Sequence, residues 1–173
     1  MFPYSEEERA QGSGFIRQPL MRPVVVVRLA GARMGDHNLA ALVDSGSDHV
    51  LAAPWIAQDI GVTPDPEREI RLGIGGATRQ VRFADVTMHL LPPEVSLSEG
   101  GRVSDVSYSW NLQVGFFTAW EAPPWNVVLG QVGFFDQFTV TLNRFSQALA
   151  FTDVGDFDDL FPQPAASAED KSI

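Results

Sequence analysis

An aspartate stands at the end of an apolar run and leads directly into a turn-forming sequence. Residues 39–51 read LAALVDSGSDHVL, in which Asp44, Ser45 and Gly46 follow five apolar residues. A carboxylate at such a position is costly to bury unless hydrogen bonds hold it, and a serine hydroxyl and a glycine N–H can supply them. The tripeptide therefore fits a catalytic acid. Taken alone, it fits a turn-capping acid at a strand end better.

The cysteine and histidine content of the chain does not predict a metal site. The chain has no cysteine, and His37, His49 and His89 are too far apart in sequence to form a ligand-spaced cluster. His49, which follows the second acid of the run at Asp48, is interpreted as a solvated loop residue rather than a pocket residue. We therefore expect no metal and no cofactor.

The segments that must position Asp44 are predicted to be strands. VVVVRLAG and LAALV form two arms of a hairpin that ends at Asp44, and the alternating segment REIRLGIGGATRQVRFADVTMHL forms a second hairpin around a glycine-rich tip. Further strands are predicted in VSYSWNLQVGFF, WNVVLG, FTVTLN and QALAFT. Helices are predicted in PWIAQDIG, with Gly61 as its C-cap, and in QVGFFDQ. This pattern predicts an all-β closed barrel or sandwich with one short C-terminal helix.

Length and composition predict one domain between two polar ends. We expect a flexible arm over residues 1–20, a domain over 21–152 and an acidic disordered tail over 153–173. The net charge of -10 argues against nucleic acid as a partner. No run approaches the ~20 apolar residues of a membrane helix, and the first residues lack the order of a signal peptide. We therefore expect a soluble, cytoplasmic protein without a membrane partner.

Three motifs in series resemble the retropepsin-like aspartic proteases, the family of the retroviral proteases and their cellular and bacterial relatives. ALVDSGSDHVLA resembles the active-site segment of that family, LGIGGATRQV resembles its flap, and WNVVLGQVGFFDQFTVTLN resembles its late apolar-glycine motif. The resemblance covers roughly residues 22–152. Each motif is degenerate, so the specificity lies in their order and spacing.

The resemblance implies a role for each matching residue of the first motif. Asp44 would be the catalytic aspartate, Ser45 would tie together the two aspartate loops of an active pair, and Gly46 would keep the loop tight. Asp48 would bind the substrate main chain, although a solvated turn acid is an equal alternative. The second motif would supply the flap tip, at Ile74, Gly75 and Gly76. The third motif would supply the strand beside the aspartate loop, at Val128, Leu129 and Gly130.

The sequence also departs from the viral members of that family. Gln131 follows Gly130 where those members usually have an arginine that holds the dimer, and the stretch 92–110 is long compared with compact members. The N-terminal arm and the acidic tail differ as well, so the resemblance does not imply assembly through terminal strands.

Aspartic protease chemistry needs two carboxylates that share one proton, yet the chain contains a single Asp-Ser-Gly. The simplest hypothesis is a C2 homodimer in which each chain supplies one Asp44. The predicted function is then an aspartic endopeptidase acting on a polypeptide substrate. Two alternatives stay open: a catalytically silent retropepsin-like module that dimerises or binds peptides, and an unrelated small β-barrel.

Apolar residues near the motifs predict the character of the substrate pocket. Leu42, Val50, Ile74 and Val128 are expected to line it, and they suggest apolar side chains on the peptide. The four tryptophans are expected to be core or interface aromatics rather than a ligand platform.

Overall fold

The computed structural model describes residues 2–3, 5–7, 20–74, 76–93, 106–119 and 125–153. Nearly all of its regular structure is strand, which confirms the all-β prediction. The strands and the helix are, in chain order, β1 (Phe2–Pro3), β2 (Ser5–Glu7), β3 (Leu20–Arg22), β4 (Val24–Ala30), β5 (Leu39–Val43), β6 (Leu51–Ala52), α1 (Pro54–Asp59), β7 (Asp65–Ile74), β8 (Ala77–Leu90), β9 (Tyr108–Phe117), β10 (Val127–Leu129), β11 (Phe138–Asn143) and β12 (Ala148–Asp153).

Within these ranges, six strands form a closed barrel. Their order is β4-β5-β10-β6-β9-β8, and β4 pairs with β8 to close the ring. The pairs β5–β10 and β6–β9 are parallel, and the other four pairs are antiparallel. β7 extends the sheet beyond β8, so the β7–β8 hairpin projects from the ring. Closure leaves no free edge within the barrel itself.

Strand alternation divides the apolar residues between two sides of the barrel wall. In β10, Val127 and Leu129 belong to the inner core, whereas Val128 belongs to a second cluster on the other side. β9 divides in the same way between Phe116, in the core, and Phe117. This period of two follows from the strand geometry, in which successive side chains point to opposite faces. The second cluster lies on the face that also carries the β7–β8 hairpin.

The short helix α1 forms where the sequence predicts it. Pro54 stands in its first turn, Ile56 and Ala57 are buried, and Gly61 follows the C-cap with a φ of 70°. Pro in the first turn and Gly after the C-cap are the usual helix boundaries.

The predicted C-terminal helix is wrong. Residues 131–137 form turns, and α1 is the helix of the described chain. Gly133 has a φ of 101°, which a right-handed helix does not accommodate, and its N–H donates to the Asp136 carboxylate at 2.9 Å. Phe134, within this turn, is completely buried in the core. The Gln137 and Phe138 N–H groups donate to the Phe134 carbonyl at 3.0 and 3.1 Å, so a single turn forms here that does not extend into a helix.

The seam that closes the barrel carries a buried basic pair. Arg28 of β4 lies opposite His89 of β8, and both are more than nine-tenths buried. Arg28 donates to the Asn38 side-chain oxygen at 2.9 and 2.7 Å. Both ring nitrogens of His89 lack a hydrogen-bond partner in the described structure. Burial, and secondarily the charge of Arg28, lower the pKa of His89 below its usual value of 6.5.

The structure describes only parts of the two predicted polar ends of the chain. Within the predicted flexible arm, β1 pairs with β12 and β2 pairs with β3, so these parts are in strands. β12 ends at Asp153, and the rest of the predicted acidic tail lies outside the described residues. So do positions 94–105 of the long stretch 92–110.

Candidate active site

β5 delivers Asp44 to the surface from a buried strand. Leu42 and Val43 are buried, whereas Asp44 is partly exposed. The Asp44 N–H donates to the Leu129 carbonyl of β10 at 3.0 Å, which continues the parallel β5–β10 pairing by one residue. The position of Asp44 is therefore set by the pairing of β5 with β10 in the barrel wall.

The loop after Asp44 folds back onto the carboxylate. The Gly46 N–H donates to Asp44 Oδ1 at 3.0 Å, and the Ser47 N–H donates to the Asp44 carbonyl at 3.1 Å. The Ser47 hydroxyl in turn donates to the His49 carbonyl at 2.8 Å. Ser45 and Gly46 remain exposed. The loop thus fixes the carboxylate with its own backbone while its tip faces solvent.

A second segment of the chain is hydrogen-bonded along the whole aspartate loop. The Gln131 N–H donates to the Ser47 carbonyl at 2.8 Å, and the Val132 N–H donates to the Asp48 carbonyl at 2.9 Å. The Gln131 side chain also donates to the Ser45 carbonyl at 2.7 Å. These three bonds connect the segment after β10 to three successive parts of the loop.

Gly130 is required by the closeness of these two segments. A Cβ at this position would lie 2.3 Å from the His49 carbonyl oxygen and 2.6 Å from the Ser47 carbonyl oxygen. Both neighbours are backbone atoms, so neither can rotate away. Only a residue without a side chain allows β10 to end against the aspartate loop.

An apolar patch, which we call the outer cluster, lies on the outer side of the barrel wall. Its partly buried neighbours include residues of β7 and the tryptophan that precedes β10. The buried members are Leu51, Val81, Phe83, Phe117 and Val128, and the partly buried residues packed on them are Ile70, Leu72, Ile74 and Trp125. Leu51 comes from β6, which follows the aspartate loop in sequence, and Val128 comes from β10, which lies between β5 and β6 in the sheet. The outer cluster is therefore continuous with the site.

The β7–β8 hairpin covers the outer cluster with one face. Ile70, Leu72 and Ile74 alternate along β7 and pack on the cluster. On the hairpin's other face, Arg82 Nε donates to Glu69 Oε2 at 2.7 Å, and Gln80 also donates to the Glu69 carboxylate. These bonds, that of Arg82 first, lower the pKa of Glu69 below its usual 4.5. The hairpin is thus amphipathic, with its apolar face toward the outer cluster.

The predicted flap tip lies at the end of this hairpin. Ile74 pairs with Ala77 there, and Gly76 has a φ of 80°, which is typical of a tight turn. Gly75 lies outside the described residues. In the described structure no hydrogen bond joins the hairpin tip to the Asp44 loop. The hairpin instead contacts the site through the outer cluster.

Two polar aromatic residues border the outer cluster. The His49 ring makes an edge contact with the Phe83 ring, at a centroid separation of 5.2 Å, and is partly buried. His49 is therefore less solvated than the sequence interpretation held. The Trp125 indole packs on the cluster, and its Nε1 is buried without a hydrogen-bond partner in the described part of the chain.

The predicted site residues are divided among three parts of this arrangement. The aspartate loop holds Asp44, Ser45, Gly46 and an exposed Asp48, and Leu129 and Gly130 lie directly against it. Val128 faces the outer cluster together with Ile74. Val50 was wrongly predicted to line a pocket: it is completely buried in the inner core, because His49 and Leu51, on either side of it, occupy the outer face.

Sequence reasoning missed two residues of the site. Gln131 was noted only as a departure, yet its side chain holds the Ser45 carbonyl. Trp125 was assigned a general structural role. It stands two residues before β10, at the end of that strand opposite the aspartate loop, and it is connected to the site through its packing on the outer cluster.

In comparisons with known proteins, no family model matches the chain, and no curated protein matches it. In the described ranges, no group of three or more histidine or acidic side chains is arranged to hold a metal ion. None of the described helical structure is long and apolar enough to cross a membrane.

Proposed function

We propose that the chain is a retropepsin-like aspartic endopeptidase that acts as a homodimer, with Asp44 of each subunit as the catalytic pair. The observation that carries this proposal is the aspartate loop itself. A buried strand ends in Asp44, Gly46 holds one carboxylate oxygen at 3.0 Å, and Gly130 lets a second segment bind the loop's backbone. This construction fixes a carboxylate while leaving the tip of its loop exposed.

The proposed chemistry uses two carboxylates in different protonation states. Two carboxyl groups held about 3 Å apart cannot both ionise, because their like charges would repel. One aspartate therefore keeps a proton and the other stays charged. The charged aspartate takes a proton from a water molecule as that water attacks the peptide carbonyl. The protonated aspartate hydrogen-bonds to the carbonyl oxygen and stabilises the tetrahedral intermediate.

The surrounding residues support this assignment through their positions. The exposed Ser45 hydroxyl is available to a second copy of the loop, and the exposed Asp48 is available to a peptide main chain. The β7–β8 hairpin would act as the flap, since its apolar face already rests on the outer cluster beside the loop. A polypeptide would bind beneath β7 against the buried part of the outer cluster, in place of some of these contacts.

The proposal is tested by cleavage of a peptide library at acidic to neutral pH, with and without a statine-type transition-state mimic. Asp44→Asn keeps a side-chain oxygen that can accept the Gly46 N–H, so we expect a folded protein. Cleavage should fall by at least ~10²-fold, because the shared proton is lost.

Asp85→Asn is the matched control, because it makes the same chemical change at an acid whose side chain is 77% exposed. It should cleave like the unmodified chain. Full activity in Asp44→Asn would refute the mechanism. Peptide binding without cleavage by the unmodified chain would instead support the silent module.

A further inference from the structure

The indole N–H of Trp125 is a buried donor in an apolar environment. Its Nε1 has no acceptor in the described structure, and the side chains that surround it in the outer cluster are apolar. Buried polar groups are nearly always hydrogen-bonded, and leaving one unpaired costs free energy. Trp110 follows this rule, because its Nε1 donates to the Gly133 carbonyl at 2.9 Å. The unpaired donor at Trp125 therefore calls for an explanation.

The backbone beside Trp125 is held firmly in place. The Asn126 N–H donates to the Ala40 carbonyl at 2.9 Å, and the Asn126 carbonyl accepts from the Ala53 N–H at 3.0 Å. Asn126 is thus bound to the chain on both sides at the start of β10. These bonds fix the backbone next to Trp125, and its ring is held by packing on the outer cluster.

The hairpin side chains over the outer cluster supply no acceptor either. Ile70, Leu72 and Ile74 cover it from β7, and none has a polar side-chain atom. None of the described residues therefore supplies an acceptor, whereas a molecule bound against the outer cluster would supply one. The surface of that cluster beneath the hairpin is the peptide cleft of the proposed function, on which this inference rests.

We propose that Trp125 is a specificity-determining residue, and that its indole N–H donates to the side-chain carbonyl of a glutamine on the substrate peptide. The methylene stem of glutamine suits the apolar outer cluster, and its carboxamide oxygen supplies the missing acceptor. A glutamate of the same length is disfavoured, because burying its charge in an apolar patch without a partner costs far more. The cleft therefore selects an apolar stem with a neutral acceptor at its end.

The test uses a positional library of octapeptides in which each position in turn carries glutamine or methionine, which have similar size and shape. The unmodified chain should cleave the glutamine peptide at one position with kcat/KM roughly tenfold or more above its methionine counterpart. In Trp125→Phe, which keeps a ring but removes the N–H, this ratio should fall to near one. Trp110→Phe makes the same change outside the cleft and should retain the ratio.

The stability of the two variants provides an independent measurement. Trp110→Phe should lower the thermal unfolding midpoint, because it leaves the Gly133 carbonyl without its donor. Trp125→Phe should lower the midpoint less, because it removes a donor that is unpaired. Equal losses in the two variants would show that the Trp125 N–H is already bonded in the free protein, which would overturn the inference.

Binding measurements separate this inference from the proposed hydrolysis. Fluorescein-labelled glutamine and methionine peptides are titrated with Asp44→Asn protein and followed by fluorescence anisotropy. Glutamine-selective binding that Trp125→Phe abolishes supports the inference, even where the unmodified chain cleaves nothing and the proposed hydrolysis fails. Cleavage without a glutamine preference overturns the inference and leaves the protease assignment intact, whereas binding without that preference and without cleavage overturns both. A chain that neither binds nor cleaves any peptide refutes both.

Discussion

At Gly130, the absence of a side chain determines how closely two segments of the candidate site approach each other. The contacts that a Cβ would make there are with backbone oxygens of Ser47 and His49, at 2.6 and 2.3 Å. The same backbone participates in the bonds from Gln131 and Val132 that hold the aspartate loop. A side chain at this position would therefore disturb the loop that carries Asp44.

We expect Gly130→Ala to destabilise the protein by about 3 kcal/mol, because the added methyl group forces two backbone segments apart. The aspartate loop would move with them, so cleavage should fall as well. Urea denaturation measures the first effect, and the peptide-library assay measures the second.

Gly73→Ala is the control for this prediction. Gly73 lies in β7 with nothing within 4 Å of its Cβ position, and its φ is not in the left-handed region. We expect a change within ~0.5 kcal/mol. Equal stability of Gly130→Ala and Gly73→Ala would contradict the close approach of the two segments.

At the scale of elements, the barrel depends on the pairing of β4 with β8. That seam contains Arg28 and His89 as opposing residues, both buried. A buried imidazole next to a guanidinium is favoured in its neutral form, which is why the pKa of His89 is lowered. Acid conditions therefore act directly on the pairing that closes the barrel.

We expect the free energy of unfolding to decrease as the pH falls below about 6.5. In that range the unfolded chain, whose histidine keeps its ordinary pKa, binds a proton that folded His89 still excludes. The unfolded state is then stabilised relative to the folded state. The loss develops between pH 6.5 and the lowered pKa of folded His89, and it is complete below that pKa. Above pH 6.5 both states are neutral at this position, and no such dependence is expected.

His89→Gln removes the titrating group and keeps a polar side chain of moderate size. Urea denaturation between pH 5 and 8 should show a shallower loss of stability toward acid pH in the variant than in the unmodified chain. Any constant cost of the substitution appears equally at pH 8 and is subtracted. Parallel curves for the two proteins would show that His89 does not contribute.

The elements that the sequence predicts well are those whose pattern is local. β-branched runs and alternation of apolar residues identify β4, β5 and the β7–β8 hairpin, and the proline and glycine around α1 mark its ends. The two-residue strand β6 is too short to show any period. The turn at 131–137 contains Gly133 in the left-handed conformation, which the composition of the segment does not reveal.

Pairing between distant strands is much harder to predict than the strands themselves. The β4–β8 seam joins residues about sixty positions apart, and no local pattern specifies it. The candidate site shows the same contrast. Asp44 and Gly46 are visible as a motif, whereas the bond from Gln131 to Ser45 and the unpaired N–H of Trp125 depend on contacts across the barrel wall.

At the scale of the whole molecule, the aspartate loop is open on the side that faces away from the barrel. Ser45, Gly46 and Gln131 are exposed, and the Val132 side chain next to them is 51% exposed. A single chain contributes one Asp-Ser-Gly. The proposed mechanism therefore needs a second chain at this surface, related by a two-fold axis so that the same loop comes from both subunits.

Mixing the unmodified chain with Asp44→Asn tests this requirement at fixed total protein concentration. With free subunit exchange, only dimers of two unmodified chains carry both carboxylates, so activity should follow the square of the unmodified fraction. An equal mixture should retain about one quarter of the activity, whereas chains acting alone would retain about one half. A mixture of unmodified chain with Asp85→Asn controls for exchange itself and should retain full activity. A linear dependence on the unmodified fraction, together with a monomer in analytical ultracentrifugation under the same conditions, would rule out the shared site, because one Asp44 would then suffice for each active centre.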